Sequence, residues 1–477
     1  VRLPHVIVVA ALCAVGARAQ YSGAPFDELL KSRRQSAGLP SVAAGLSVDG
    51  ETYWTGAVGY ADVENKTPAT ARSMYRVASI SKTITAVAIM RLVEQKKIAL
   101  DFNIRTYVPA YPVKKWDITV RQLLNHTSGF RTYRKGEFSN LRRFANTIET
   151  VYYLAGDELE HQPGSKYLYS TLSYNLLAAA VEHVSGEPFE TYLVANVFEP
   201  AGMEATRLDR HEPIVPGRVR GYRKNKYREL ENAEMVDISV KFAGGGVLSN
   251  VEDLLDFGEA LLDGSLLSSA SIKEMTRPTK LADGSTVDYG LGVALYRDEE
   301  GRFSYGHEGA GNGFRSALRI YPEQKAVVVW LCNMRGEGEE PFANEIAELY
   351  FDQAATTTTS KKSSAEYLYN VALESGVEEA IADYYALAAD SLDSYRVNAE
   401  ELRTTGAQLV ELGRRADAIA IFSLATVEYP NYVEGYVGLG DAYLADGNRG
   451  HALRAYKRAL ALDPDHAYAK TRLNELE

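Results

Sequence analysis

The chain has 477 residues, 46% of them hydrophobic and 24% charged, with a formal net charge of -11. Such a length allows roughly three domains or one large domain with an appendage, and the composition is that of a globular protein, not of a disordered, collagen-like or polytopic membrane chain. The acidic balance argues against a general nucleic-acid binder, and two cysteines exclude a disulfide scaffold or a four-cysteine zinc site.

At the start, Arg2 and His5 precede an apolar run from Val6 to Val15, which ends in Ala17-Arg18-Ala19. A basic start, a short apolar stretch and a small-x-small end describe a cleavable secretory signal over residues 1–19. The expected location is therefore periplasmic or secreted, with no membrane attachment after cleavage. Removal of that segment would leave Cys332 as the only cysteine, inside the apolar run that starts at Val327, where it reads as a small buried hydrophobe.

The next unit is expected over residues 20–353. Ser41–Val48 and Tyr53–Val58 flank Asp49-Gly50 and read as a hairpin. Ser79–Glu94 reads as a helix with Thr83, Val87, Met90 and Leu92 near one face. The stretch from about 100 to 240 is mostly helical and loop-rich. Strands return at Leu291–Tyr296, Phe303–His307, Ser316–Tyr321 and Ala326–Leu331, and Glu340–Phe351 reads as a closing helix. Strands at both ends around inserted helices predict a sheet assembled from the two ends of one domain.

Residues 354–364 (AATTTTSKKSS) have no apolar face and read as a linker. Beyond it, over 365–477, the chain is helical and repeats at an offset of 34 residues. Gly406 matches Gly440, Gly413 matches Gly447, Ala418 matches Ala452, Phe422 matches Tyr456, Ala425 matches Ala459 and Pro430 matches Pro464. These are small and aromatic positions where paired helices approach closely. The pattern over 399–477 resembles the tetratricopeptide repeat, and 365–398 resembles a capping helix pair. Two clear repeats are few for independent stability, so the unit is expected to lean on the preceding domain or on another copy. It offers a surface for a protein partner.

Ser79-Ile80-Ser81-Lys82 carries the candidate chemistry. A spacing of three residues on a helix puts Ser79 and Lys82 on one face, and a helix N-terminus favours an oxyanion near Ser79. A desolvated lysine loses basicity and can accept a proton near neutral pH. Alone the tetrapeptide is weak, because chance supplies about one or two in a chain this long. Two further segments strengthen it: Tyr169-Ser170-Thr171, after Pro163-Gly164, and His307-Glu308-Gly309, placed at a strand end before Ala310-Gly311.

In this order and spacing the three segments resemble those of the penicillin-recognising serine hydrolases, the family of class C β-lactamases and D-alanyl-D-alanine carboxypeptidases. Leu123-Leu124-Asn125-His126-Thr127-Ser128-Gly129, Ala243-Gly244-Gly245-Gly246 and Tyr289-Gly290-Leu291-Gly292 agree with it. The resemblance covers about residues 25–350. It implies an α/β (α+β) β-lactamase/transpeptidase-like sandwich, an antiparallel sheet flanked by helices with a helical subdomain, followed by the all-α repeats. It also implies an acyl-enzyme on Ser79, proton transfer shared between Lys82 and Tyr169 with the choice of base open, and His307 in a place often held by lysine. Thr171, Gly309 and Ala310 would bind substrate, with the N–H groups of Ser79 and Ala310 as oxyanion hole; no cofactor or metal is called for.

One departure matters. The middle motif usually ends in asparagine, whose amide can grip an acyl amide, and here Thr171 offers a shorter hydroxyl. Together with the lack of an E-x-x-L-N segment, this favours a peptide, D-amino-acid peptide or ester substrate. A true β-lactamase or penicillin-binding carboxypeptidase is one alternative, and an inactive hydrolase-like scaffold that binds a partner through its repeats is another. Two basic clusters, Arg131, Arg134, Lys135, Arg142 and Arg143, then Arg218, Arg220, Arg223, Lys224 and Lys226, are placed beside the cleft as a candidate site for an anionic substrate. The lack of H-E-x-x-H, G-x-S-x-G and a Walker sequence argues against a zinc peptidase, an α/β-hydrolase and a P-loop enzyme.

Overall fold

The computed structural model describes residues 23–476 except 299, 336–341, 352–361 and 390–394. The expected signal over 1–19 and most of the expected linker lie outside the described residues.

A seven-stranded sheet organises the first unit. Its strands are β1 (Ser41–Val48), β2 (Glu51–Asp62), β3 (Thr67–Pro68), β4 (Ala294–Arg297), β5 (Phe303–Gly311), β6 (Phe314–Tyr321) and β7 (Ala326–Cys332). They lie in the order β4-β5-β6-β7-β1-β2-β3, and the junction between the two chain ends is the antiparallel pair β1–β7, with Ala44 opposite Trp330 and Leu46 opposite Val328. The sheet is thus built from the two ends of the domain, as the strand pattern predicts. Alternation with a period of two sorts the side chains of its central strands. Val42, Ala44, Leu46, Val328 and Trp330 face a layer containing Phe26, Leu30, Phe342 and Ile346. Ala43, Val327, Val329 and Leu331 face the main core with Ile84, Val87, Leu254 and Leu255. Cys332 is buried in the first layer.

Helices cover both faces. On one side lie α1 (Ala24–Ala37) and the C-terminal helix of the unit; on the other lie α2 (Ile80–Glu94), α3 (Tyr174–Ser185) and α4 (Val251–Leu262). The closing helix α5 runs Ala343–Phe351. Helix α2 departs from the one-faced expectation: every residue from Ile80 to Met90 is buried. It is the central helix, packed between the sheet and the inserted helices, and its apolar residues therefore follow no single stripe. The short helices Val120–Leu124 and Thr147–Ala155 join α3 in the inserted subdomain.

The remainder is helical: α6 (Ser364–Glu374), α7 (Val377–Ala389), α8 (Ala399–Glu411), α9 (Arg415–Glu428), α10 (Val433–Ala445), α11 (Arg449–Leu462) and α12 (Ala467–Leu476). The 34-residue repeat has a direct packing cause. A Cβ on Gly406 would stand 2.8 Å from the Phe422 ring, and a Cβ on Gly440 would stand 2.7 Å from the Tyr456 ring. In both repeats a glycine on the first helix admits the aromatic ring of the second. The unit leans on the preceding domain: Glu366 receives Lys224 at 3.4 Å and Arg228 at 3.3 Å, and the Tyr369 hydroxyl donates to the Lys226 carbonyl at 2.8 Å. Among the described residues no helix is long and apolar enough to cross a membrane.

Candidate active site

Ser79 stands at the N-cap of α2, directly after Ala78, whose φ of 43° lies in the left-handed region that non-glycine residues seldom adopt. Short hydrogen bonds hold that turn. The Ser81 hydroxyl donates to the Ala78 carbonyl at 2.6 Å and accepts from the Val247 N–H at 3.0 Å. From the sheet, the Ser316 hydroxyl donates to the Val77 carbonyl at 2.8 Å. The strained elbow is thus tied to neighbouring segments on both sides and presents Ser79 to solvent at the rim of a cleft.

One turn along α2, the fully buried Lys82 points its amine back at Ser79. Its Nζ donates to the Gly244 carbonyl at 2.6 Å and lies 3.1 Å from Thr171 Oγ1 and 3.1 Å from Ser79 Oγ. Burial, and then the like charge of Lys241, hold Lys82 well below the usual lysine range. A neutral amine has two N–H groups and one lone pair. The carbonyl can only accept, so it takes one N–H; Thr171 can take the other, which leaves the lone pair for the Ser79 hydroxyl. Thr171, expected only as a substrate contact, is thus also an acceptor for Lys82.

Burial raises the Tyr169 phenol well above the usual range, only partly offset by the neighbouring Ser79 side chain, so it rests protonated. Its hydroxyl lies 3.4 Å from His307 Nε2. His307 sits in the middle of β5, not at a strand end as expected: the glycines around it read as a turn signal, but the strand continues to Gly311. Burial, then the charge of Lys82, depresses His307 to about 3, so its imidazole is neutral near pH 7.

Gly309 and Ala310 follow on the same strand, paired with Ser316 and Arg315 of β6. A Cβ on Gly309 would lie 2.2 Å from Ser316 Oγ and 2.4 Å from the Val77 carbonyl oxygen. Only glycine lets β5 come this close to the serine elbow. Every sequence-predicted site residue except the basic clusters therefore converges here: Ser79, Tyr169, Thr171, Gly309 and Ala310 line one cavity of about 460 Å³, with Lys82 and His307 behind its wall.

The two basic clusters do not border the cleft; none of their ten residues lines the cavity. Arg131 is buried between Glu137 at 2.6 Å and Asp157 at 2.7 Å, and Arg134 also pairs with Asp157. Arg143 pairs with Glu212, Arg218 with Asp209, Arg220 with Glu64 and Arg223 with Glu231. Lys224 meets Glu366 of α6. Sequence reading missed the cations that do line the wall: Lys241, Arg315 and Arg335, with Arg76 paired to Asp209 at 2.6 Å. The four come from separate segments; Arg76, three residues before Ser79, and Lys241, two residues before the Ala243-Gly244-Gly245-Gly246 motif, stood near a signal. Burial, and the charges of Arg76 and Arg335, lower Lys241 to about 8; burial and Arg315 lower Arg335.

A serine at a helix N-terminus, a buried lysine one turn away and a tyrosine from an inserted helical subdomain, set against an antiparallel sheet, define a serine hydrolase of the penicillin-recognising class. The chain belongs to the β-lactamase family, whose model matches residues 26–352, and a tetratricopeptide-repeat model matches residues 433–466. It is 30% identical to the serine beta-lactamase-like protein LACTB, mitochondrial, of Homo sapiens, over 68% of this chain and 79% of that protein. Among solved structures, the D-amino acid amidase from Ochrobactrum anthropi SV3 complexed with D-phenylalanine is similar, at 25% identity and a TM-score of 0.60, over 68% of this chain and 98% of that one. The octameric penicillin-binding protein homologue from Pyrococcus abyssi shares the fold, at 24% identity and a TM-score of 0.61, over 74% of this chain and 82% of that one.

Proposed function

We propose that this enzyme cleaves amides or esters, including D-amino-acid peptides, through an acyl-enzyme on Ser79. The observation that carries the reading is the buried Lys82 amine, which is within hydrogen-bond distance of Gly244, Thr171 and Ser79 and whose basicity burial lowers. Ser79 Oγ attacks the carbonyl carbon as its proton passes to Lys82. The N–H groups of Ser79 and Ala310 receive the oxyanion. Tyr169 then protonates the departing amine or alkoxide, and Lys82 returns a proton to Tyr169. Water repeats the sequence on the ester, releasing the acid and regenerating the Ser79 hydroxyl. A serine-directed fluorophosphonate tests the reading: stoichiometric labelling that vanishes in Ser79→Ala supports it, whereas no labelling of folded wild-type protein favours the scaffold alternative.

The cationic wall supports substrates that carry a carboxylate. The charges of Arg76 and Arg335 lower Lys241, and that of Arg315 lowers Arg335; an entering anion relieves that repulsion. Amidating the C-terminus of a cleaved peptide is expected to raise KM by roughly tenfold, about the worth of one charge-assisted hydrogen bond; an unchanged KM would count against a carboxylate at this wall. The pattern of residues 1–19 supports an exported enzyme, which N-terminal sequencing of the mature protein, beginning at Gln20, would check.

Lys241 also sets a pH prediction. Its charge favours the neutral amine of Lys82, so Lys241→Met should raise the Lys82 pKa. The acid limb of kcat/KM, which follows the amine fraction, is then expected to move to higher pH. A limb that stays in place would show that Lys241 does not act on the base.

A further inference from the structure

Two family-like motifs, around His126 and Tyr289, find no use in the reaction above. The structure brings both behind Tyr169. The Ser170 N–H donates to His126 Nδ1 at 3.2 Å, His126 Nε2 lies 3.2 Å from Tyr289 Oη, and Tyr289 Oη lies 3.0 Å from His307 Nε2. His307 Nδ1 lies 2.5 Å from the Glu308 carbonyl oxygen. His126 and Tyr289 are buried, and His126 is held at a φ of 60°.

The direction of every bond in this chain follows from its two ends. A backbone N–H can only donate, so His126 Nδ1 is unprotonated and Nε2 carries the proton. That proton is donated to the Tyr289 oxygen. A backbone carbonyl can only accept, so His307 carries its proton on Nδ1 and offers a lone pair at Nε2. Tyr289 therefore donates its own hydroxyl proton to His307 Nε2. The same lone pair is the acceptor that Tyr169 faces, at the longer distance of 3.4 Å.

We infer that Tyr289, oriented by His126, is a positioning residue that occupies the His307 lone pair and so leaves the Tyr169 proton available for the leaving group. Without the Tyr289 hydroxyl, His307 Nε2 becomes an uncapped acceptor and draws the Tyr169 hydroxyl toward itself and away from Ser79. The deficit falls on the step in which a basic leaving group must be protonated. A 4-nitrophenolate leaves without a proton, so its ester is indifferent to that step.

The inference rests on the proposed acyl-enzyme reading, and its test separates the two. Tyr289→Phe removes only the hydroxyl. Its kcat/KM is compared with wild type on a peptide amide and on a 4-nitrophenyl ester, each normalised to the sites titrated by fluorophosphonate so that any unfolded fraction drops out. The expected result is a fall of roughly tenfold or more on the amide, a share of what a general acid contributes, with the ester within about twofold of wild type and KM for the amide little changed. His126→Gln, which loses the imidazole N–H that orients Tyr289, is expected to show the same selectivity in weaker form. An equal loss on both substrates, or no loss on either, overturns the inference while leaving the acyl-enzyme in place. Wild-type protein that neither labels nor turns over either substrate overturns the underlying reading instead.

Discussion

Ser79→Ala is expected to lower amide turnover by at least about 10⁴ and to abolish fluorophosphonate labelling, because no other group can form the covalent intermediate. Lys82→Met should be nearly as damaging, since it removes the acceptor that lies 3.1 Å from Ser79 Oγ. The pair of variants is informative because their structural costs differ. Ser79 sits at the cleft rim, and losing its hydroxyl leaves Lys82 with the Gly244 carbonyl and Thr171. Lys82 is fully buried, and methionine of similar length removes a group whose charged form is costly there while leaving the Gly244 carbonyl without its donor. Both proteins should therefore stay folded, with melting temperatures within a few degrees of wild type. Loss of turnover with an intact melting transition locates the effect in the chemistry. Residual amide turnover in Ser79→Ala at a tenth of wild type or more would show that another residue is the nucleophile.

What the sequence reveals and conceals follows from the range of the interactions involved. The hairpin β1–β2 is legible because Asp49-Gly50 and the flanking alternation are local. The serine and lysine of α2 are legible because one helical turn joins them. The repeats are legible because each glycine and the ring it admits recur together, 34 residues on. By contrast, the basic stretches after Arg131 and Arg218 look like free charge only while Glu137, Asp157, Asp209 and Glu366 cannot be seen beside them. The cations that do line the cleft stand apart in sequence, one in each of four segments. His307 is misplaced by local reading for a related reason. Its glycine neighbours, which mark turns elsewhere, serve here to let a long strand pass against the serine elbow.

That role leads to the second large effect. Gly309→Ala should lower kcat/KM by about 10²–10³ with the fold retained, matching the loss of one oxyanion donor. A methyl at this position would stand 2.4 Å from the Val77 carbonyl oxygen and 3.1 Å from the Ala78 Cβ on one side, and 2.2 Å from Ser316 Oγ on the other. The serine hydroxyl can rotate away, but the Val77 carbonyl belongs to the backbone that holds Ala78 and Ser79. Strand β5 must then retreat from the elbow, and the Ala310 N–H retreats with it. The two oxyanion donors lie on different elements, so their separation depends on this contact. The stability cost should be about 1–3 kcal/mol, as for other overpacked sites. Because the oxyanion forms in both acylation and deacylation, the variant should slow amide and 4-nitrophenyl ester alike, unlike Tyr289→Phe. A Gly309→Ala enzyme with wild-type kcat/KM on both substrates would show that Ala310 does not supply an oxyanion donor.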